Sequence, residues 1–116
     1  MKFSYPNAMD MTAVEAELLT CTENLDELSL ALYLEVPGSQ VVLFQAYFET
    51  YEAIGIVRTL DIRRSLVSVL TTPSCFKECV ALLASIRNEI HWHPAPIPTG
   101  ELRERYLGYA KKEKNA

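Results

Sequence analysis

Histidine, glycine and cysteine are scarce in this chain, which contains two histidines, four glycines and three cysteines among 116 residues. Histidine and glycine supply most familiar catalytic and phosphate-binding motifs, and the sequence has no glycine-rich phosphate loop, Walker motif, nucleophile elbow or metalloprotease helix. An odd cysteine count beside 49% hydrophobic residues does not indicate a disulfide framework. The composition therefore predicts a small packed domain in a reducing, cytoplasmic setting.

Positive charge is absent from a long stretch of the chain. Residues 10–57 carry nine acids and no Lys or Arg, whereas residues 61–116 carry nine bases and six acids, and the net charge is −4. Binding through nucleic-acid phosphates needs clustered bases, so the balance argues against that partner. No apolar run is long enough for a signal peptide or a membrane span. The uneven charge is either a solvated acidic face or a device that orients a partner or a second subunit.

Hydrophobic periodicity divides the chain into alternating helices and strands. The pattern predicts a helix over residues 11–25, a strand at Leu28–Val36, a helix over 40–53, strands at Ile56–Leu60 and Ser65–Thr71, a helix over 75–89, a candidate short strand at residues 91–93, and a tail helix after Thr99.

That order predicts an α+β, ferredoxin-like βαββα(β) sandwich, an antiparallel sheet with its helices on one face. We expect residues 1–27 to form an N-terminal extension, 28–93 the core, and 94–116 a proline-rich link and tail. The segment Leu66–Leu70 is apolar on both faces. Either a terminal helix covers the second face of the sheet or a second subunit does, and this segment motivates the prediction of a homodimer.

The segment Phe48–Asp61 reads FETYEAIGIVRTLD, and Arg63-Arg64, a valine-rich strand and Pro73 follow it. Over about residues 30–90 this pattern resembles a small bacterial family known as domain of unknown function 4911. The resemblance implies a fold similar to the small-molecule-binding ACT domains, and it implies no activity, because the family has none assigned. We interpret the motif itself as structural: Tyr51 plugs the helix end, Gly55 permits the turn, and Asp61 shapes the hairpin.

Three arginines around the predicted hairpin, Arg58, Arg63 and Arg64, form the best candidate ligand site, with Arg87 expected nearby. Guanidinium groups bind carboxylates and phosphates in bidentate geometry. The competing interpretation is that these arginines pair with the acidic face or with a neighbouring subunit.

A second candidate site consists of Cys75, Cys79, His91 and His93. The cysteines share a helix face and the histidines share a strand face, and two thiolates with two imidazoles would complete a tetrahedral zinc site. Cys75 alone, near a helix N-terminus, is a candidate reactive thiol. In the competing interpretation Cys79 is core and the histidines belong to a surface strand end.

The sequence thus favours a non-catalytic module that binds a partner or a small ligand, acts as a homodimer and uses no cofactor. Two alternatives stay open. One is a metal- or thiol-dependent site built from the cysteines and histidines, and the other is an enzyme whose site matches no known motif.

Overall fold

The computed structural model describes residues 8–51 and 54–106. The elements are α1 (Ala8–Leu19), β1 (Thr22–Asp26), β2 (Ser29–Glu35), α2 (Val41–Thr50), β3 (Ile56–Asp61), β4 (Leu66–Thr71), α3 (Phe76–Ile86) and β5 (His93–Pro94), with 3₁₀ turns at Gly38–Gln40 and Ile62–Arg64. Residues 100–106 are also helical. The predicted tail helix extended to Tyr109, which lies outside the described residues. None of the helices described is long and apolar enough to cross a membrane.

The protein is α+β, with a five-stranded antiparallel sheet. Its strands follow the order β1-β2-β4-β3, and β5 pairs with β2. The β1 strand pairs with the first half of β2, and β5 pairs with its last two residues. Because β4 occupies the other side of β2, β1 and β5 share one side of that strand. One edge of the sheet is therefore β3, and the other is formed by β1 together with the short β5.

The prediction of a helix over residues 11–25 is wrong in its second half. The helix ends at Leu19, because the Leu18 carbonyl accepts hydrogen bonds from the Cys21 amide and the Thr22 hydroxyl. Threonine and cysteine are poor helix formers, and the chain turns into β1 at Thr22. The sequence pattern missed this strand because four of its five residues are polar.

The alternation of leucines in β2 predicts one buried face and one face that is at least partly wet. The buried leucine face is confirmed, whereas on the opposite face Ala31 and Tyr33 are buried as well and Glu35 is exposed. Leu32 and Leu34 face α1, α2 and α3, together with Val67 and Val69 of β4. We call this side the helix face. Large side chains that solvent hardly reaches fill it, from the helices Leu18, Phe44, Phe48, Leu82 and Leu83, and from the segment after α3 Ile90 and Trp92. Burial of this apolar area is the main stabilising contribution to the fold.

The second face of the sheet is covered by the chain itself. Ala31, Tyr33 and Leu66 pack there against Ala95, and Ile97 and Tyr106 join them from the C-terminal segment. We call residues 95–106 the cover segment. It explains why β4 is apolar on both sides, so this feature no longer requires a second subunit.

From the sequence we also predict Ser39 as the N-cap of α2 and either Thr72 or Ser74 as the N-cap of α3. Ser39 does not cap α2, because it lies in the 3₁₀ turn that precedes the helix and the helix start has no side-chain hydrogen bond. The N-cap of α3 is Cys75, which also has no side-chain capping bond, and the Thr72 hydroxyl instead accepts a hydrogen bond from the Cys75 amide, 3.2 Å away, in the turn before the helix.

Candidate interaction surface

The outer side of β3 presents backbone hydrogen-bonding groups to solvent. The Val36 amide donates to the Ser65 carbonyl, which fixes the residues of β4 that point toward β2 and, by alternation, those that point toward β3. In the observed register, Ile56 and Arg58 therefore bond to β4, and Val57 and Thr59 direct their N–H and C=O groups outward. No described residue pairs with these outward groups.

A groove of about 250 Å³ runs beside this edge, between α2 and β3. Its lining consists of Gln45, Phe48, Glu49, Gly55, Ile56 and Val57. Ile56 is 64% exposed, although isoleucine is usually buried, and because it lies opposite Leu70 its side chain is on the second face of the sheet rather than on the α2 side. The groove therefore combines apolar contact area with one carboxamide and one carboxylate, alongside bare strand backbone.

Gly55 sets the distance between β3 and the core. A Cβ atom at this position would lie 2.9 Å from Val69 Cγ1 and 3.1 Å from the Leu70 carbonyl oxygen. The glycine does not adopt a positive φ angle. Glycine is needed at this position because β3 approaches β4 closely, and not because of the turn that the sequence analysis assigned to it. This contact places the start of β3 tightly on β4 and leaves the opposite side of β3 exposed.

The hairpin after β3 is shaped by Asp61, as the sequence predicted. Its carboxylate accepts hydrogen bonds from the backbone amides of Arg63 and Arg64 and lies 3.8 Å from the Arg64 guanidinium. Ser65 then adopts the left-handed conformation, with φ 56°. Such aspartate turns satisfy backbone donors locally.

The three hairpin arginines take different positions. Arg63 and Arg64 are exposed on the turn, whereas Arg58 lies within β3 on the second face of the sheet, opposite Ser68. Arg87 does not join them: it forms a bidentate ion pair with Glu17 and stacks on Trp92 at 4.1 Å. The Arg87 contact links α1 to the end of α3.

The cysteines and histidines do not assemble into a metal site. Cys79 is fully buried in the core, where burial raises the pKa of its thiol to about 12. His91 and His93 are exposed, and the His91 backbone amide donates to the Gln40 side chain at the start of α2. Within residues 11–51 and 54–106, no three His, Cys, Asp or Glu side chains are grouped so that they could hold a metal ion.

The remaining two cysteines differ in their surroundings. Cys75 is half-buried and precedes α3, with its amide bonded to Thr72. Cys21 is buried, its thiol donates to the Leu18 carbonyl, and burial raises its pKa to about 11. A high pKa keeps a thiol protonated and unreactive at neutral pH.

Polar contacts hold the cover segment on the second face. Glu23 of β1 pairs with Arg103 and accepts a hydrogen bond from the Tyr33 hydroxyl, 3.0 Å away. Burial, and then the Glu23 carboxylate, raises the pKa of Tyr33 to about 12. These contacts close the second face, and sequence reasoning missed them because the partners lie up to 80 residues apart.

The β3 edge brings several unpaired backbone groups and apolar contact area together. It presents two outward donors, two outward acceptors, an exposed isoleucine and a groove. Sequence reasoning did not single out Ile56, Val57 or Thr59, because edge position depends on strand order. Within the predicted strand Ile56–Leu60, the polar residues Arg58 and Thr59 were a local signal of an edge.

Comparison with known proteins identifies one family. No curated protein and no solved structure matches the chain. The family model described as "Domain of unknown function (DUF4911)" matches residues 34–90. That span runs from the end of β2 through β3 and β4 to Ile90, just beyond α3, and it includes the whole candidate surface. Over residues 34–90, the chain therefore belongs to the family described as Domain of unknown function (DUF4911).

Proposed function

We propose that the protein is a non-catalytic interaction module that binds an extended polypeptide along the outer edge of β3. The observation that supports this function is the pair of outward-facing residues, Val57 and Thr59, beside an apolar groove. A strand added to an exposed edge gains affinity from main-chain hydrogen bonds, and adjoining grooves select its side chains. Among the described residues that line the groove, Glu49 carries the one carboxylate, and none of the others is a nucleophile or an acid.

We also propose that the core is ferredoxin-like, including the ACT-like variant that the family resemblance implies. In support, β2, α2, β3, β4, α3 and β5 follow one another as βαββαβ, and β5, β2, β4 and β3 are neighbours in that order. The two-residue β5 and the added β1 on the same side of β2 are departures from the simple pattern.

A small anion at the hairpin arginines is a weaker proposal. Asp61 lies between Arg58 and the Arg63–Arg64 turn in sequence, and its carboxylate already neutralises part of the local positive charge. Exposed arginines beside an acid contribute little to binding unless they converge on one ligand. We therefore place partner binding at the β3 edge first.

The experiment compares Val57→Pro with Val57→Ala. Both substitutions remove the valine side chain from the core, and proline also removes the outward N–H donor while remaining compatible with an edge strand. The readouts are the oligomeric mass of untagged protein in native mass spectrometry and selection of binders from a phage-displayed library of random dodecapeptides.

We expect the wild-type protein to form a complex either with a second copy of itself or with a selected dodecapeptide, and we expect Val57→Ala to retain that complex. Val57→Pro should weaken it about tenfold, because a hydrogen bond is lost and the proline ring obstructs the edge. Circular dichroism checks that both variants fold. The proposal is overturned if wild-type protein forms neither complex, or if the proline variant binds as well as the alanine variant.

A further inference from the structure

We infer that the cover segment, residues 95–106, is a releasable strap that leaves the second face of the sheet as a unit while the rest of the fold stays intact. The contact between Arg103 and Glu23 is the latch that holds it in place. Release of the cover segment does not involve the outward groups of β3, so it is independent of the strand binding proposed above.

Backbone hydrogen bonds hold the cover segment at one point near its start. The Ala95 amide donates to the Tyr33 carbonyl, 2.9 Å away, and among the described residues no other backbone hydrogen bond joins the segment to the sheet. Pro96 and Pro98 have no amide hydrogen to donate. The cover segment therefore crosses the sheet without pairing with a strand, whereas β5, directly before it, pairs with β2.

The side chains of the cover segment are also thinly packed. Half of its residues are exposed, and its apolar residues Ile97 and Leu102 are only half-buried. Trp92, three residues before the segment begins, is instead fully buried and hydrogen-bonded to the Leu83 carbonyl. Segments with few buried apolar contacts open at a lower free energy than the whole fold. The chain through β5 should therefore stay in place when the cover segment opens.

The docked cover segment carries a cost at its far end. The hydroxyl oxygen of Tyr106 is buried, and no described group forms a hydrogen bond with it. A buried polar group without a partner destabilises the state that buries it, because its hydrogen bonds to water are lost and nothing replaces them. Release returns this hydroxyl to water, which favours the open state.

One carboxylate latches the cover segment to the sheet. Glu23 of β1 pairs with Arg103 through one oxygen and accepts the Tyr33 hydroxyl through the other. The side chains of Arg103 and Glu23 are 37% and 17% exposed, so the ion pair is within reach of solvent and salt. Ion pairs of this kind are modest in strength and are weakened by screening. The latch should therefore hold the segment loosely, and salt should loosen it further.

Release changes what the second face offers to other molecules. With the cover segment docked, Ala31, Tyr33 and Leu66 are each less than one-tenth exposed. They belong to β2 and β4, the two inner strands, so without the segment they form one apolar patch in the middle of the sheet. The cover segment thus controls access to this face.

Thiol labelling of the full chain measures release. In a Cys75→Ser background, Ala31→Cys places a probe on the sheet and Ala95→Cys places one on the cover segment. Cys21 and Cys79 lie fully buried in the helix-face core, so they serve as internal references for global unfolding. A thiol reagent reacts only with open forms, and its rate at each position reports the population in which that position is open. Mass spectrometry of peptides assigns the rates.

We expect both introduced cysteines to be labelled about tenfold or more faster than Cys21 and Cys79. Equal rates would overturn the strap, because they would mean that the second face opens only when the whole chain unfolds. Circular dichroism checks that both variants fold. Hydrogen exchange repeats the test on the wild-type chain: the Ala95 amide should be less protected than the amides of β4 by a similar factor, and equal protection would likewise overturn the strap.

Arg103→Gln tests the latch, and Arg105→Gln is its matched control. Arg105 lies on the same helix, is exposed and makes no ion pair with a described residue. We expect Arg103→Gln to speed labelling of the Ala31→Cys probe about threefold and to leave Cys79 unchanged, whereas Arg105→Gln changes neither. Added salt should speed labelling of this probe when Arg103 is present and have little effect when it is replaced. Equal effects of the two glutamine variants, or equal acceleration at Cys79, would overturn the latch.

Discussion

The two outer edges of the sheet differ in how they are protected. The β1 edge is polar, carries Glu23 and Asp26, and is bulged between Asn24 and Asp26. The β3 edge presents Ile56 and two outward residues in regular geometry before its own bulge. Natural sheets use charges and bulges to prevent edge-to-edge association. Both strands are bulged at their C-terminal ends, but four of the five β1 residues are polar or acidic, whereas β3 begins with the exposed Ile56, which is why we propose association at β3.

The side of β2 that faces away from β4 is a third case, because both β1 and β5 pair with it. Trp92 is fully buried, donates its indole N–H to the Leu83 carbonyl at 2.9 Å, and carries Arg87 on its ring. It directly precedes β5 and the cover segment. One buried residue therefore anchors the part of the chain that closes β2.

The largest effect is expected from Trp92→Ala. Removing a fully buried tryptophan leaves a cavity and an unpaired carbonyl, and should lower the free energy of unfolding by about 3–5 kcal/mol. Urea denaturation measures this change. Trp92→Phe, which loses the N–H and part of the volume, should cost less. A loss below about 1 kcal/mol for the alanine variant would show that the closed side of β2 does not depend on this anchor.

The helix face was predictable because its signal is local. The alternation of Leu32 and Leu34 and the helical spacing of Phe44 and Phe48 each lie within one element, so a period of two or 3.6 residues reveals the buried side. The same reasoning found the Asp61 turn, whose partners are two and three residues away.

Local patterns did not predict the features that depend on distant pairing. The β1 strand is polar and is defined by its pairing with β2, and the cover segment depends on a contact between Arg103 and Glu23. The anchoring role of Trp92 was not identified from the sequence, because its hydrogen-bond partner, the Leu83 carbonyl, lies in a different element. The edge status of β3 follows from strand order alone, so none of its outward groups was identified from the sequence.

A smaller effect is expected from Gly55→Ala, which tests how β3 is held on β4. The added methyl group would overlap Val69 and the Leu70 carbonyl, and overpacking of this kind costs about 1–3 kcal/mol of unfolding free energy. Gly38→Ala is the matched control, because nothing lies within 4 Å of its Cβ position. We expect its change to stay within about 0.5 kcal/mol. Equal losses in urea denaturation would contradict the close-approach role of Gly55.

The smallest expected effect concerns the ion pair between Glu17 and Arg87, which lies on the closed side beside Trp92. The hydrogen bonds from Arg87 lower the pKa of Glu17 below its ordinary value of 4.5. A carboxyl group whose pKa is lowered in the folded state stabilises the fold fully above the unfolded-state pKa, and this contribution is lost as pH falls through the folded-state pKa. The relevant window therefore lies below about pH 4.5, and neutral pH lies above it.

Glu17→Gln removes this contribution, so its stability deficit relative to wild type should be present at pH 7 and shrink toward pH 3. Urea midpoints at the two pH values measure the difference. Glu15→Gln serves as the control, since Glu15 lies on the same helix and makes no ion pair with a described residue. Because both partners are about one-third exposed, the deficit should be smaller than that of Gly55→Ala. A deficit that does not change with pH would mean that packing, rather than charge, links α1 to the closed side of the sheet.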